Sequence, residues 1–399
     1  MSAPDVPAQN AGRAVAAYDA MQRHLYVGGG SLLRFRSGPS LYRETAPRTG
    51  PNEYAYVWPF SRALLGTATL AGVRRQLVGG VSYEPAVRDR LRGLEAYWDA
   101  RADPPGYDSY VVSAGGGDKY HDDNAWLALA LVQLHRMGLA ATLDRAAQLY
   151  AFARSAWDAD PDEPYPGGMF WVGQGRGQGL TNHDRGAGAN AGSAALGFHL
   201  VQLTGSADYA GDGEVAARPR ALGAANMVNW VQAHLDSGGA GTGLYWNAVR
   251  RDGSIDTNIW SYNQGVMVGA RLLQYALTGD GGYLQQAEAV AARALATFGD
   301  FTGQPPSFNA MCFQDLLRLH AVSGDGALKA RILAAMQAYG DWAWGDAEAR
   351  DPGTDLFYFS DAGRPARSSG QAARLQDQGA MVQLYGLLAW DAEDYARLA

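Results

Sequence analysis

SYNQGVMVGARLLQYALTGDGGYLQQAEAVAARALATF, residues 261–298, is the stretch of sequence that decides the fold. On both sides of Thr278-Gly279-Asp280, apolar residues recur at a spacing of three and four, which is the pattern of amphipathic helices. A glycine ends the first helix without steric cost, and an aspartate caps the second by accepting from its free N–H groups. The stretch therefore predicts a helical hairpin, with helices over about 260–277 and 282–298.

Similar short junctions recur along the chain and predict a fold built from such hairpins. Val322-Ser323-Gly324-Asp325 and Leu203-Thr204-Gly205-Ser206 also join apolar helical segments. Ten more helices are predicted, over about residues 11–26, 60–72, 87–99, 122–138, 141–157, 189–203, 218–235, 308–322, 326–342 and 371–389. Twelve helices in six stacked pairs are typical of an all-α, (α/α)6 barrel. Because no change in composition marks a boundary, we predict a single catalytic domain over residues 1–399.

Long linkers separate several of these helices, at about 27–55, 101–121, 160–188, 237–259 and 343–370. Each of them precedes an even-numbered helix. Long loops that gather on one face of a barrel commonly build the binding site, so we expect the site at that rim. Short segments at 110–112, 169–172 and 244–247 alternate with period two, which predicts small β-hairpins in the rim loops.

Composition and missing motifs narrow the chemistry. The formal net charge is −7 and no run of Lys and Arg occurs, so nothing predicts a nucleic-acid or lipid partner. The one cysteine, Cys312, excludes a disulfide framework and is interpreted as a core thiol. The seven histidines form no HExxH pair, and there is no P-loop or nucleophile elbow. We therefore predict no metal and no cofactor, which leaves carboxylates as the candidate catalytic groups.

The first residues, MSAPDVPAQNAGRAV, contain no basic segment followed by an apolar run, so no signal peptide is visible. The chain contains no stretch of about 18 apolar residues, so no membrane helix is predicted. These patterns predict a cytoplasmic protein that does not enter a membrane, or a secreted one if a leader has been removed. We expect a monomer.

The strongest local feature is GDKYHDDNAW at 117–126, where a polar loop enters an apolar helix. Acids at a helix start can cap free N–H groups, and capping explains one aspartate easily. It does not explain Asp122, Asp123, an asparagine and Trp126 together. Glycosidic bond cleavage needs two carboxyl groups, one protonated and one ionised. Two carboxylates held close repel each other, which raises one pKa and separates these roles.

The string YHDDNAWLALA at 120–130 resembles the signature of glycoside hydrolase family 76, the α-1,6-mannanases. Further segments are similar to that family in the same order, over roughly residues 110–300. They are PGGMFW at 166–171, Asn190 in GANAGSAALGFHL, GLYWN at 243–247 and WSYNQG at 260–265. The resemblance implies an (α/α)6 barrel and a retaining hydrolase of α-1,6-mannosidic bonds in mannan or mannooligosaccharides. It also implies that Asp122 is the nucleophile and Asp123 the acid/base.

Eight residues are predicted to bind the sugar, partly by resemblance and partly from their positions at helix starts: Trp58, Asn124, Trp126, Trp171, Asn190, Tyr262, Asn263 and Gln264. For Trp58 the competing interpretation is core packing, and for Asn263 it is helix capping. His183, Asp184 and Arg185 are interpreted as a solvated charged turn. If they face the barrel mouth instead, they could select a particular sugar or block one end. Asp256 is interpreted in the same way.

Other functions remain open at this stage. A transglycosylase shares the covalent intermediate and differs only in whether sugar or water accepts it. A hydrolase of another α-glycan could use the same barrel, and so could a non-catalytic glycan-binding protein. Epimerases of N-acylglucosamine and unsaturated glucuronyl hydrolases also use such barrels. The epimerases rely on histidines that face the cavity, whereas the histidines here are scattered.

Overall fold

The computed structural model describes residues 5–27, 40–74, 80–173, 175, 182–239, 241 and 243–399. Helices dominate it, so the prediction of a mainly helical fold is confirmed. The helices of these ranges are α1 (Val6–His24), α2 (Val57–Ala71), α3 (Glu84–Leu94), α4 (His121–Arg136), α5 (Leu143–Arg154), α6 (Ala187–Thr204), α7 (Ala224–Leu235), α8 (Ser261–Thr278), α9 (Gly281–Phe298), α10 (Pro306–Val322), α11 (Gly326–Gly345) and α12 (Leu375–Ala389). None of them is both long enough and apolar enough to cross a membrane.

The even-numbered helices form a closed ring. Their contacts run from α2 through α4, α6, α8, α10 and α12 back to α2, and the odd-numbered helices pack against this ring from outside. Burial follows the same division. In α2, 13 of 15 residues are buried, whereas in α9 only 5 of 18 are, because one face of α9 meets the ring and the other meets water. Cys312 lies fully buried in α10, as predicted.

The inner helices approach one another closely where they carry glycine. A Cβ on Gly66 of α2 would lie 2.6 Å from the carbonyl oxygen of Gly379 in α12. Two glycines at one crossing therefore let the two backbones meet. This contact closes the ring between its first and last inner helices.

The predicted junctions between the two helices of a hairpin are confirmed. Gly279 follows α8 with a φ of 73°, and the carboxylate of Asp280 accepts from the N–H of Gly282 at the start of α9. Asp325 caps α11 by accepting from the N–H groups of Ala327 and Leu328. These side chains satisfy N–H groups that have no partner inside the helix.

Three predicted helix starts are wrong by four residues or more. Helix α1 begins at Val6 rather than near 11, because Asp5 caps it by accepting from the N–H of Ala8. Helix α7 begins at Ala224 rather than near 218, because the Asn226 side chain accepts from the N–H of Gly223 and fixes the preceding residues as a loop. Helix α12 begins at Leu375 rather than at 371, because residues 373–374 pair with an early strand. At α12 the pairing with a distant segment overrides the local helical pattern, whereas at α7 a side chain three residues away sets the start.

Short strands occur in the rim loops, as predicted, although not at all the predicted positions. They are β1 (Thr45–Ala46), β2 (Trp98–Asp99), β3 (Gly106–Tyr107), β4 (Arg185–Gly186), β5 (Ala248–Val249), β6 (Ile255–Asp256) and β7 (Ala373–Arg374). The antiparallel pairs are β1 with β7, β2 with β3, and the order β4-β5-β6. Residues 169–172 form isolated bridges, and 244–247 lead into β5. The strand predicted at 110–112 is wrong, because the N–H groups of Ala114 and Gly116 fold back onto Val111 in a turn.

Candidate active site

A cleft of about 690 Å³ lies at the end of the ring where the inner helices begin. Its volume is within the roughly 300–1,000 Å³ of typical ligand sites. The first turns of five inner helices contribute to its lining, with Trp58, Asp122, Asp123, Gly188, Ala189, Tyr262 and Phe308. The loops before these helices supply most of the remaining wall. The rim position expected from the long linkers is therefore the position of the cleft.

Aromatic side chains make up much of the cleft wall. The seven of them are Trp58, Tyr120, Trp126, Trp171, Trp260, Tyr262 and Phe308. The rings of Tyr262 and Phe308 lie 4.4 Å apart between centroids, and Trp126 meets Tyr262 edge-on at 6.1 Å. Aromatic faces offer flat apolar surface to the C–H faces of a sugar ring. The lining residues that the structure describes include no Lys or Arg, although Arg250 and Arg374 pair with the lining carboxylates of Asp256 and Asp361 from outside the lining.

Asp122 is held by two donors. Its Oδ1 accepts from the backbone N–H of Asp123 at 2.9 Å, and the indole Nε1 of Trp171 lies 3.0 Å from both of its carboxylate oxygens. Burial raises the pKa of Asp122 to about 6, and the donated hydrogen bonds limit that rise. Donors aimed at the carboxylate favour its ionised form.

Asp123 has a different environment, although it is the next residue. No described residue donates a hydrogen bond to its carboxyl. Burial and the neighbouring charge of Asp122 raise the pKa of Asp123 well above its usual range, and the positive charge of Arg62 opposes the rise. Because the pair shares one cleft, the first proton to leave comes from Asp122 and the second is retained longer by Asp123.

Arg62 lies below the pair, in the first turns of α2. It is only 1% exposed, its guanidinium stacks on the ring of Trp58 at 4.5 Å, and its Nη1 has no partner among the described residues. Burial lowers the pKa of Arg62 to about 10, so it stays charged at neutral pH. Arg62 is thus a buried cation that stabilises the ionised form of Asp123.

This pair can do acid–base and nucleophilic chemistry. One carboxylate is prepared to be ionised and the other to hold a proton, as glycosidic cleavage requires. The capping interpretation accounts for part of the contacts of Asp122 only, since its Oδ1 does accept from a first-turn N–H. The described residues contain no group of three or more His, Cys, Asp or Glu arranged to hold a metal ion.

Six of the ten predicted site residues line the cleft together: Trp58, Asp122, Asp123, Trp126, Trp171 and Tyr262. Trp126 is 5% exposed and forms part of its floor, while Trp58 and Trp171 are half-buried. Trp58 is therefore a cleft residue as well as a core contact. The sequence could predict this grouping because Trp126 follows the aspartates by one helical turn.

Asn124, Asn190 and Gln264 lie behind the cleft, and the structure gives them another role. The amide of Asn124 accepts from the N–H of Tyr107 at 2.8 Å and donates to the carbonyls of Tyr107 and Tyr120. Asn190 and Gln264 also bond to main-chain groups and are fully buried. Every polar atom of these amides is thus satisfied by the backbone, which leaves none for a sugar.

The same amide recurs around the ring. Each of five inner helices carries it four residues after the N-cap, bonded to main-chain groups: Asn124, Asn190, Gln264, Asn309 and Gln378. The amides fix the rim loops to the helix starts. In α4 and α6 the residues two and three after the N-cap then face the cleft, and so do Tyr262 of α8 and Phe308 of α10.

Asn263 is also fully buried and does not line the cleft. Its Nδ2 lies 3.3 Å from Oδ1 of Asn247, which is a cleft residue and which donates to Asp256. Asn263 therefore supports Asn247 from behind. Sequence reasoning did not select Asn247, although the short segment that contains it was singled out for its similarity to the family.

The charged turn at 183–185 was expected to be solvated, but the structure buries two of its residues. Arg185 is 1% exposed, donates to the carbonyls of Tyr165 and Gly167, and lies 3.1 Å from the carboxylate of Asp158. Asp184 lines the cleft. Tyr120, Trp260, Phe308, Asp256 and Asp361 also line it and were not predicted as binding residues.

Comparison with known proteins identifies the family. The profile of glycosyl hydrolase family 76 matches residues 51–335. The chain belongs to this family. The resemblance stated from the sequence motifs is therefore confirmed. None of the curated protein sequences matches the chain.

Solved structures of family 76 proteins share the fold. A family 76 mannosidase from Bacteroides thetaiotaomicron superposes with a TM-score of 0.75 at 18% identity, over 96% of this chain and 98% of its own. An α-1,6-mannanase from Salegentibacter sp. gives a TM-score of 0.69 at 17% identity, over 95% and 99%. Dfg5 from Chaetomium thermophilum, in complex with glucosamine, gives 0.66 at 14%, over 98% and 92%. At these identities the similarity shows the fold alone.

Proposed function

We propose that this chain is a retaining glycoside hydrolase that cleaves α-1,6-mannosidic bonds in mannan or mannooligosaccharides. In this proposal Asp122 is the nucleophile and Asp123 the acid/base. The closed ring of inner helices, with outer helices around it, supports the expected (α/α)6 barrel as the scaffold.

One observation carries the proposal: two adjacent carboxylates in an aromatic cleft have opposite surroundings. Trp171 and a backbone N–H donate to Asp122, whereas burial and the charge of Asp122 favour the protonated form of Asp123. A nucleophile must be ionised and a general acid must hold a proton. The surroundings therefore suit Asp122 to attack and Asp123 to protonate.

The steps balance as a double displacement. A carboxylate oxygen of Asp122 attacks the anomeric carbon while the glycosidic C–O bond breaks and the leaving oxygen takes the proton of Asp123. The ionised Asp123 then takes a proton from water, and the water oxygen attacks the same carbon and releases Asp122. Arg62 stabilises Asp123 during the interval in which it is ionised.

The choice of substrate rests on the relatives and on the charge of the cleft. An inactive variant of the Salegentibacter enzyme, with two consecutive aspartates replaced by asparagine, was solved in complex with α-1,6-mannotriose. That structure superposes on this chain with a TM-score of 0.70 at 17% identity, over 95% of this chain and 99% of its own. Carboxylates without Lys or Arg among the described lining residues suit a neutral glycan and disfavour an anionic one.

The test is product analysis from an α-1,6-mannotetraose. We expect shorter mannooligosaccharides from the unmodified protein and at least a thousandfold slower turnover in Asp122→Asn and Asp123→Asn. Asp144→Asn is a matched control, because Asp144 also lies in the first turn of a helix, α5, but on the outside. Unchanged turnover in both cleft variants would contradict the proposal, and longer products would indicate transfer to sugar.

Azide separates the two roles. In Asp122→Ala, azide takes the place of the missing nucleophile and should give the β-mannosyl azide. In Asp123→Ala, azide attacks the covalent intermediate and should give the α-mannosyl azide, from a substrate whose aryl leaving group needs no proton. The opposite pairing of variants and products would reverse the assigned roles.

A further inference from the structure

Asp184 is a buried cleft residue whose carboxylate accepts no hydrogen bond from the part of the chain that the structure describes. The residue is 7% exposed and lines the cleft, directly before β4. Its Oδ1 is buried and accepts no hydrogen bond from any described residue. Buried polar atoms are nearly always paired, so an unpaired carboxylate oxygen calls for an explanation.

The charges around Asp184 do not supply a partner. Burial raises the pKa of Asp184 to about 6, Arg250 opposes the rise, and Asp256 and Asp252 add to it. Arg250 already lies 3.6 Å from Asp256, on the other side of the hairpin of β5 and β6. The free protein therefore keeps a carboxylate where it costs free energy.

The backbone holds this carboxylate at a fixed place relative to the catalytic pair. The carbonyl oxygen of Asp184 accepts from the N–H of Trp171 at 2.8 Å, and the Trp171 indole contacts Asp122. The next residue, Arg185, is clamped by the carbonyls of Tyr165 and Gly167. A group that is oriented before the ligand arrives loses little entropy on binding.

Open space adjoins Asp184 along the start of α6. Gly186, Gly188 and Ala189 line the cleft there and offer nothing larger than a methyl group. A Cβ on Gly188 would lie 2.6 Å from the ring of Tyr262, so the Tyr262 ring packs directly on that position. A Cβ on Gly186 would meet only the carbonyl oxygen of Asn247, at 3.6 Å, so the wall next to Asp184 is open at Gly186.

We propose that Asp184 is a specificity-determining residue whose carboxylate accepts hydrogen bonds from hydroxyl groups of a neutral sugar bound beside the catalytic pair. The assignment rests on the proposed function. The Asp184 residue lines the cleft, and sugar hydroxyls there can supply the donors that no described residue supplies to its carboxylate. A site built to accept from a hydroxyl rejects an analogue without it, because the buried acceptor then stays unpaired.

The test measures binding in the inactive Asp122→Asn/Asp123→Asn double variant by calorimetry with α-1,6-mannotriose. Adding Asp184→Ala should weaken binding by about 10- to 100-fold, which is the range for loss of hydrogen bonds to a charged group. Asp252→Ala is the matched control, because Asp252 is an exposed turn residue that also adds negative charge near Arg250. It should leave the dissociation constant within about twofold.

Thermal unfolding of the free protein distinguishes binding from a structural role. Asp184→Ala removes no described hydrogen bond and relieves the cost of burying the carboxylate, so it should keep or raise Tm while it weakens binding. A lower Tm with unchanged affinity would overturn the assignment and leave the proposed function intact. If the parent double variant binds no mannotriose, the proposed substrate fails, and the assignment of Asp184 fails with it.

A panel of monodeoxy mannotrioses identifies the contact itself. The analogue that lacks the recognised hydroxyl should bind the parent more weakly than mannotriose does, but should bind the Asp184→Ala variant equally well. If every monodeoxy analogue loses the same affinity relative to mannotriose in both proteins, the assignment is overturned.

Discussion

The contact between Trp171 and Asp122 can be tested with Trp171→Phe, which removes the indole N–H and keeps an aromatic ring. The indole lies 3.0 Å from both carboxylate oxygens and lowers the pKa of Asp122. A hydrogen bond to a charged group contributes about 1.5–3 kcal/mol. One pKa unit corresponds to about 1.4 kcal/mol. Because Asp122 is only half-buried, we take the lower end, which predicts a rise of about one unit from about 6.

The direction of the shift in the pH profile follows from the role of ionised Asp122. Asp122 attacks only as a carboxylate, so activity is lost as the pH falls through its pKa. Raising that pKa moves the acid limb of the kcat/KM profile about one unit to higher pH. At a pH below both limbs, the rate should fall about tenfold. At a pH above both, the rate should approach that of the unmodified enzyme.

The assay is the pH profile of kcat/KM on an α-1,6-mannooligosaccharide. Trp260→Phe is the matched control, because it changes another cleft tryptophan whose indole donates to none of the described carboxylates. It should alter KM and leave the acid limb in place. An acid limb that moves no further in Trp171→Phe than in Trp260→Phe would refute the reasoning.

Three further predictions concern the surroundings of the pair. Arg62→Met should raise the pKa of Asp123, because a stabilising cation is lost, and should move the alkaline limb of the kcat/KM profile to higher pH; an unmoved limb would contradict the coupling. Gly188→Ala should lower the free energy of unfolding by about 1–3 kcal/mol and reduce kcat/KM, because the new Cβ meets the Tyr262 ring. Denaturant unfolding measures the first effect, and steady-state kinetics measures the second. Asn124→Ala should lower the free energy of unfolding by about 2–4 kcal/mol, because three hydrogen bonds to the backbone are lost. Its KM at a temperature where the variant stays folded should be unchanged, and a raised KM would return Asn124 to the binding site.

Much of the fold could be predicted from local signals. Gly279 and Asp280 end one helix and begin the next through contacts within a few residues, so the sequence alone reveals the hairpin. The start of α12 depends instead on pairing with a distant segment. No periodicity reports that residues 373–374 pair with Thr45 and Ala46.

The site residues also divide into those that local spacing predicts and those that it does not. Asp122, Asp123 and Trp126 share one helix, so their spacing predicts that they meet in the cleft. Asn124 and Gln264 were assigned to the sugar because side-chain amides suit hydroxyls as well as main-chain groups. Their recurrence four residues after the N-cap in successive hairpins is the signal that could have shown a structural role.

Asp184 shows what sequence reasoning could not reach. In the polar string HDRG a carboxylate looks solvated. Its burial arises because β4 pairs with β5 and because Trp171 hydrogen-bonds to its carbonyl, and both contacts join segments that are distant in the sequence. The sequence offers Asp184 as a sugar-selecting residue only if the turn faces the barrel mouth, and these long-range contacts decide that orientation.

The most direct test of the central claim is the stereochemistry of the first product. Proton NMR can follow the anomeric signals while the enzyme cleaves an α-1,6-mannotetraose faster than the products mutarotate. Retaining cleavage by Asp122 and Asp123 predicts that the α-anomer appears first and the β-anomer only later, by mutarotation. If the β-anomer appears first, the reaction inverts, and the assignment of Asp122 as a nucleophile is wrong.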